Sequence, residues 1–264
     1  MELLSLSELK SYLFTAKALA YEGGNALLEY WGNVHKIHDK DQAGNLVTEA
    51  DQESEKRILA RLKSEYPEHS ILAEESGAKE GMNSDFLWVI DPLDGTTNYA
   101  HGYPMISVSV ALVFKGNPVI GVVWNPIMEE LFVAVEGEGA FLNDKKISVS
   151  TTKTLAKSLL ASGFAYDRRE TSDNNYAEFC HLTDLTQGVR RGGSAALDMA
   201  YVAAGRFDGY WERGIQPWDI AAGWVLVKEA GGTVSAYDGS KPDLFSGRIL
   251  ATNGLIHREL STSL

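Results

Sequence analysis

The sequence predicts a layered α/β fold, in which helices pack against a largely antiparallel sheet and against a second sheet of α/β texture. Three observations predict it. Strand patterns follow one another at hairpin spacing between residues 106 and 149, with turn signals at Lys115-Gly116-Asn117 and Gly137-Glu138-Gly139. Beyond about residue 155, strand and helix patterns alternate instead. Two helical patterns open the chain before any long strand.

The elements follow in order. Ser5 with Glu8 three residues later reads as a capping box opening a helix over 7–31, with Leu9, Leu13, Ala16 and Ala20 on one face. Asn45-Leu46-Val47-Thr48 leads into a second helix, from Asp51 to about Tyr66, stopped by Pro67. Residues 70–73 form a short strand ending at Glu74-Glu75, and 86–90 a buried strand. Asp91-Pro92-Leu93-Asp94 follows, and Gly95-Thr96-Thr97-Asn98 turns into a short helix. Strands are expected over 106–114, 119–124, 131–135, 140–142 and 147–149. The later half gives strands over 158–164, 207–211 and 248–252. Its helices cover 172–186, 195–204 (with Gly205 at the end) and 217–230, closed by Gly231-Gly232. No internal repeat, low-complexity segment or long linker interrupts the pattern. Residues 1–150 and 151–264 therefore read as two subdomains of one compact unit, the first holding most of the candidate ligands.

Composition narrows the function. A chain of 264 residues can bury one large core or two small ones. The formal net charge of −12 and the lack of a basic stripe argue against a direct nucleic-acid groove. Cys180 is the only cysteine, which excludes an internal disulfide and a thiolate metal cluster and suits a reducing compartment. Met1-Glu2-Leu3-Leu4 lacks a positive leader. The longest apolar run, 104–114, falls short of the roughly 20 residues of a membrane span. The expectation is a cytoplasmic protein without a membrane partner.

Four acidic residues share one kind of setting. Glu74 ends a strand, Asp91 and Asp94 end another, and Asp219 lies in the first turn of the helix opened by Pro217. Singly each has an ordinary reading: a helix-dipole charge, a solvated strand end, a turn cap. Brought together within about 5 Å, carboxylates repel by roughly 1 kcal/mol per pair in water and several-fold more at an effective dielectric near 20. Such a group holds protons or cations. Hard oxygen donors without cysteine or a close histidine pair suit magnesium or manganese. Two such ions about 4 Å apart hold the attacking and leaving oxygens of a phosphoryl transfer. The backbone N–H groups of Gly95 and Thr96 would face the phosphate.

With these residues in place, the chain resembles the inositol monophosphatase family, within the wider group of magnesium-dependent, lithium-sensitive sugar phosphatases. The resemblance rests on Glu74-Glu75-Ser76, on Asp91-Pro92-Leu93-Asp94-Gly95-Thr96-Thr97-Asn98, and on Trp218-Asp219-Ile220-Ala221-Ala222-Gly223 with Glu229-Ala230-Gly231-Gly232. Leu46-Val47-Thr48-Glu49-Ala50-Asp51 also matches. The blocks lie in order, from the first helix to the last strand. The resemblance implies alternating αβαβα layers, a homodimer, and two or three magnesium ions, with manganese a possible substitute and lithium an inhibitor. It implies metal ligation by Glu74, Asp91, the Leu93 carbonyl, Asp94 and Asp219. One ion would contact Glu74, Asp91 and Leu93, a second Asp91, Asp94 and Asp219, and a weaker third would lie near Glu74. Thr96 and Asp51, with Glu74, would carry the chemistry by preparing the attacking water; Asp51 also reads as the acidic partner of Thr48 in a capping box. Lys40 matches a position near the metals in relatives, or is a loop lysine.

The implied substrate is a small phosphorylated polyol, with inositol 1-phosphate first. Asp94, Gly95, Thr96 and Asp219 would lie against it, Gly193, Ser194 and Ala195 would approach its hydroxyls, and Glu212 would accept from them. Gln216 stands where the animal enzymes carry histidine, a departure that bears on the preferred substrate. Arg213 either pairs with a carboxylate, touches a second phosphate or decorates the surface. Arg190-Arg191 contacts a partner or is solvated or ion-paired. Histidinol phosphate, fructose bisphosphate, NADP and an adenosine bisphosphate are alternative substrates. The Asp-x-x-Asp spacing argues against an aspartyl-nucleophile phosphatase, and no Gly-x-Ser-x-Gly or P-loop occurs. A regulatory, protein-binding role on the same fold is the rival from another class.

Overall fold

The computed structural model describes residues 4–33, 37–39, 46–79 and 84–264. The first half runs α1 (Leu6–Tyr30), β1 (Ile37–Asp39), β2 (Leu46–Thr48), α2 (Glu49–Glu65), β3 (Ser70–Ala73), β4 (Gly77–Lys79), β5 (Phe86–Asp94) and α3 (Thr96–Ala100). β6 (Ser107–Phe114), β7 (Asn117–Asn125), β8 (Glu130–Val135), β9 (Gly139–Leu142) and β10 (Lys145–Ile147) follow. The second half holds β11 (Leu159–Ser162), α4 (Tyr176–Leu185), β12 (Gly188–Arg190), α5 (Ala195–Ala203) and β13 (Gly209–Arg213). It closes with α6 (Pro217–Glu229), β14 (Thr233–Ser235), β15 (Arg248–Thr252) and α7 (His257–Ser261).

Eight strands form one sheet in the order β10-β9-β8-β7-β6-β5-β3-β4, antiparallel except for the β3–β5 pair. Five form a second, β12-β11-β13-β15-β14, parallel on both sides of β11 and antiparallel beyond β13. α1 and α2 cover one face of the large sheet, and α5 and α6 lie between the two sheets. α4 and α7 close the outer face of the small sheet, over Leu155, Leu160, Leu182, Trp211, Leu250, Ile256 and Leu260. The expected αβαβα layering is present. The two central helices are apolar on nearly every side because a sheet presses on each flank: Ala196 to Ala203 are buried without a break, as are Ile220 to Val227.

Both expected helices form, α2 starting at Glu49, two residues before the expected Asp51. Ser5 and Glu8 exchange hydrogen bonds at α1, and Thr48 and Asp51 do so at α2. Other boundaries shift for local reasons. β5 continues past Ile90 to Asp94, pairing with β6 through an irregularity between Asp91 and Asp94 that accommodates Pro92. β10 forms two residues earlier than expected, because Asn143 and Asp144, both at positive φ, close a tight hairpin with β9. α4 begins only at Tyr176, after Asn175 enters the left-handed region (φ 67°) and turns its side chain inward. β13 begins at Gly209, since Asp208 caps the neighbouring Leu159 amide. Three-residue strands such as β12 and β14 carry too few residues to show a period.

Candidate active site

The strand ends and helix starts converge between the two sheets. Asp51, in the first turn of α2, accepts from the Thr48 amide (2.9 Å) and hydroxyl (2.5 Å) through Oδ2, and from the Thr96 hydroxyl (3.0 Å) through Oδ1. The same Thr96 hydroxyl lies 3.2 Å from the carbonyl of Leu93. A hydroxyl has one proton, so these two acceptors compete for it. Burial, reinforced by the charge of Glu74, outweighs the hydrogen bonds from Thr48 and Thr96 and pushes Asp51 up to about 6.

Asp91 folds back on its own turn, Oδ1 accepting the Leu93 amide at 2.9 Å. Asp94 sends Oδ2 across to the second half, where it accepts from the Ser194 hydroxyl (2.6 Å) and the Ala196 amide (2.8 Å). Ser194 is itself the N-cap of α5, so Asp94 and Ser194 together satisfy the free amides of that helix. Asp219 accepts the Gln216 amide at 2.6 Å in the first turn of α6. Glu74 is placed by its amide, which donates to the Ile90 carbonyl at 3.2 Å.

These carboxyls feel one another. Burial first, then the charges of Glu74, Asp94 and Asp219, hold Asp91 well above the usual carboxylate range, and it shares a hydrogen bond with Glu74. Burial raises Asp94 to about 6 against the pull of Ser194 and Ala196. It raises Asp219 too, with Asp94 the leading charge. Among the described residues no three His, Cys, Asp or Glu side chains form a closed metal cage; backbone amides engage Asp91, Asp94 and Asp219. The donor set fits a hard divalent cation, because it is all oxygen, with Asp91, Leu93 and Asp94 buried and Glu74 and Asp219 half-buried. It also carries mutual repulsion that a cation would relieve.

Gly95 makes the turn between Asp94 and α3. Its φ is 95°, and a Cβ there would lie 2.8 Å from the Met105 carbonyl and 3.2 Å from that of Gly193. Asn98 then donates through Nδ2 to the carbonyls of Met105 (2.7 Å) and Gly192 (2.9 Å), tying the turn to the Gly193-Ser194-Ala195 segment. The expected substrate segment and the expected metal turn are therefore neighbours.

Glu212 stands on β13, with Tyr210 donating to Oε2 at 2.6 Å; burial pushes it up to about 7. Its carboxylate lies flat on Gly163, where a Cβ would come within 2.1 Å of both oxygens. Arg213 makes a bidentate pair with Asp167 (2.6 and 2.9 Å), which settles it as an ion-paired residue. Gln216 is exposed at the start of α6, Arg190 ends β12, and Arg191 lays Nη1 over Gly193. Lys40 lies outside the described residues.

Sequence reasoning missed Asn98, Gly163 and Asp198. Asp198 is 1% exposed on α5, its Oδ1 has no hydrogen-bond partner and faces Gly192, and burial holds its carboxyl well above the usual range. A lone aspartate inside the apolar run of α5 is the signal that marks it. Among the described residues no helix is long and apolar enough to cross a membrane.

Residues 8–264 match the family model described as the inositol monophosphatase family. A Synechocystis protein named inositol-1-monophosphatase is 57% identical over 98% of this chain and 91% of its own length. A Pseudomonas aeruginosa protein named Nus factor SuhB is 45% identical over 88% of this chain and 87% of its own. The solved structure of an inositol monophosphatase from Anabaena superposes with a TM-score of 0.90 at 53% identity, covering 97% of this chain and 96% of that one.

Proposed function

Because the chain belongs to the inositol monophosphatase family, whose phosphatases are metal-dependent and generally use magnesium, we propose that it hydrolyses inositol 1-phosphate to inositol and phosphate. The observation that carries this reading is the set of mutually repelling carboxylates, Asp91 and Asp94 buried and Glu74 and Asp219 half-buried, beside the Asp51–Thr96 pair. Those four, with the Leu93 carbonyl, would hold two or three magnesium ions, with manganese able to replace them and lithium to inhibit. Bound there, the ions would acidify the attacking water and neutralise charge on the leaving oxygen.

The chain's own groups supply the rest. The Thr96 hydroxyl gives its proton to Asp51, and a lone pair of its oxygen would accept from the attacking water. The attacking water gives its proton to Thr96 as Thr96 passes its own to Asp51, with Glu74 alongside. Asp51, held up to about 6, receives it near neutrality. The amides of Gly95 and Thr96 position the phosphate. Glu212 and the Gly193–Ala195 segment take the alcohol hydroxyls, and Asp94 and Asp219 line the phosphate side. Residues 1–150 and 151–264 act as the two halves that meet across this site, in a cytoplasmic homodimer.

Phosphate release from inositol 1-phosphate, histidinol phosphate, fructose 1,6-bisphosphate, NADP and an adenosine bisphosphate tests the substrate. Inositol 1-phosphate is expected to give the highest kcat/KM; another ester leading would move the substrate and keep the chemistry. The likeness to proteins named Nus factor SuhB supports a second reading, a regulatory protein-binding role on the same fold. A partner that co-purifies equally with wild type and Asp91→Asn would favour it.

A further inference from the structure

One face of α2 reaches three separate pieces of the site. Asp51, Ser54 and Glu55 stand at i, i+3 and i+4 and so share that face. Asp51 meets Thr96 beyond β5. The Ser54 hydroxyl donates to the carbonyl of Pro92 at 2.9 Å, and Oε2 of Glu55 accepts the amide of Glu75 at 2.9 Å. Both side chains are buried, Ser54 at 0% and Glu55 at 5% exposure. α1 leaves room for them with Gly23, where a Cβ would stand 2.8 Å from the Ser54 oxygen.

A peptide unit is rigid and planar, so a bond at one edge fixes the other. The unit joining Pro92 to Leu93 gives its carbonyl to Ser54 and its N–H to Oδ1 of Asp91. Ser54 thereby holds the amide that engages Asp91 and the peptide from which Leu93 leads on. Glu74 is bracketed in the same way. Its own amide donates to Ile90, and the next amide, that of Glu75, donates to Glu55. Both peptides flanking Glu74 are pinned, which fixes the direction in which its Cα–Cβ bond leaves the backbone.

We propose that Ser54 and Glu55 are positioning residues for the cation site, Ser54 through Asp91 and Leu93 and Glu55 through Glu74. The inference rests on the metal-site reading above. Groups that orient metal ligands without touching the metal typically change affinity by about 10- to 100-fold when removed.

The test is calorimetric titration of magnesium into the full chain, with folding checked by circular dichroism. Glu55→Ala is expected to weaken binding about tenfold. Glu55→Gln keeps an oxygen for the Glu75 amide and is expected to stay within about threefold of wild type. Ser54→Ala, which deletes a single oxygen, is expected to weaken binding about fivefold and keeps the test decisive should Glu55→Ala not fold. A purely structural role would lower the melting temperature of Glu55→Ala and Ser54→Ala and leave their magnesium affinity at the wild-type value, which would overturn the inference. Equal weakening by Glu55→Gln and Glu55→Ala would overturn it as well, since charge rather than the held amide would then matter. Wild type that takes up no magnesium would overturn the metal-site reading itself.

Discussion

The hydroxyl of Thr96 donates to Oδ1 of Asp51 at 3.0 Å, joining the start of α3 to the first turn of α2. Since Oδ2 of Asp51 is already engaged twice by Thr48, Oδ1 is the oxygen left for the site. Thr96→Ala is expected to lower kcat by about 10²- to 10⁴-fold, the usual worth of a positioned proton acceptor. Thr96→Ser is expected to retain most activity. Steady-state kinetics with magnesium affinity measured alongside checks both.

The same pair sets a pH dependence. Burial raises Asp51 to about 6, and a base works only when ionised. A cation held by Glu74 would offset its charge and lower that value, so the rate is expected to rise with pH through a value at or below about 6 and then level. Asp51→Asn should remove that limb along with most of the rate, as a pH–rate profile of the two proteins would reveal.

Removing the metal has a sign that can be worked out. Unfolded aspartates titrate near 3.9, whereas burial raises Asp94 to about 6 and also raises Asp91 and Asp219 well above the usual carboxylate range. The ion-free folded chain holds more protons than the unfolded one over that window. The stability these groups contribute is thus full below about 4 and is lost as pH rises through about 6. A cation replaces those protons, so the gain in melting temperature from magnesium over a chelator should be larger at pH 7.5 than at pH 5. Equal gains at both would contradict the cluster as the binding site.

Gly163 is expected to act on substrate choice. A methyl group there would displace the Glu212 carboxylate that rests on it. Gly163→Ala should raise KM for inositol 1-phosphate by about tenfold, or roughly 1.4 kcal/mol of lost binding. It should leave KM for p-nitrophenyl phosphate, which has no hydroxyls for Glu212, nearly unchanged. A parallel comparison of the two esters decides it.

Asp198 carries a buried oxygen without a partner, a burden of about 1–3 kcal/mol. Burial raises its folded pKa above the unfolded value, so its contribution falls as pH rises from about 4. Asp198→Asn removes the charge at nearly constant shape and is expected to raise the melting temperature, more at pH 8 than at pH 5. Thermal unfolding at the two values tests it.

Much of the molecule was legible in the sequence because its signals are local. The Thr48–Asp51 capping box, the hairpin spacing after β5 and Pro217 at the start of α6 each sit within a few residues of what they specify. The acidic residues at strand ends were legible for the same reason. What escaped depends on distance along the chain. Asn98 grips Gly192, Asp94 caps α5 through Ser194, and Ser54 holds Pro92, all across 38 to 100 residues. No period or motif in one segment announces a partner so far away. Arg213 shows the same limit: three roles were open until Asp167 was seen to meet it. The start of β10 turned on two positive φ angles at Asn143 and Asp144, which a polar loop permits without requiring.

Glu74, Asp91, Leu93, Asp94 and Asp219 are expected to hold divalent cations. Anomalous diffraction from crystals grown with manganese measures this most directly. At least two strong peaks enclosed by those five residues are expected, lost or reduced in Asp91→Asn. Manganese bound elsewhere, with the carboxylates still hydrogen-bonded to one another and to the Leu93, Ala196 and Gln216 amides, would contradict it.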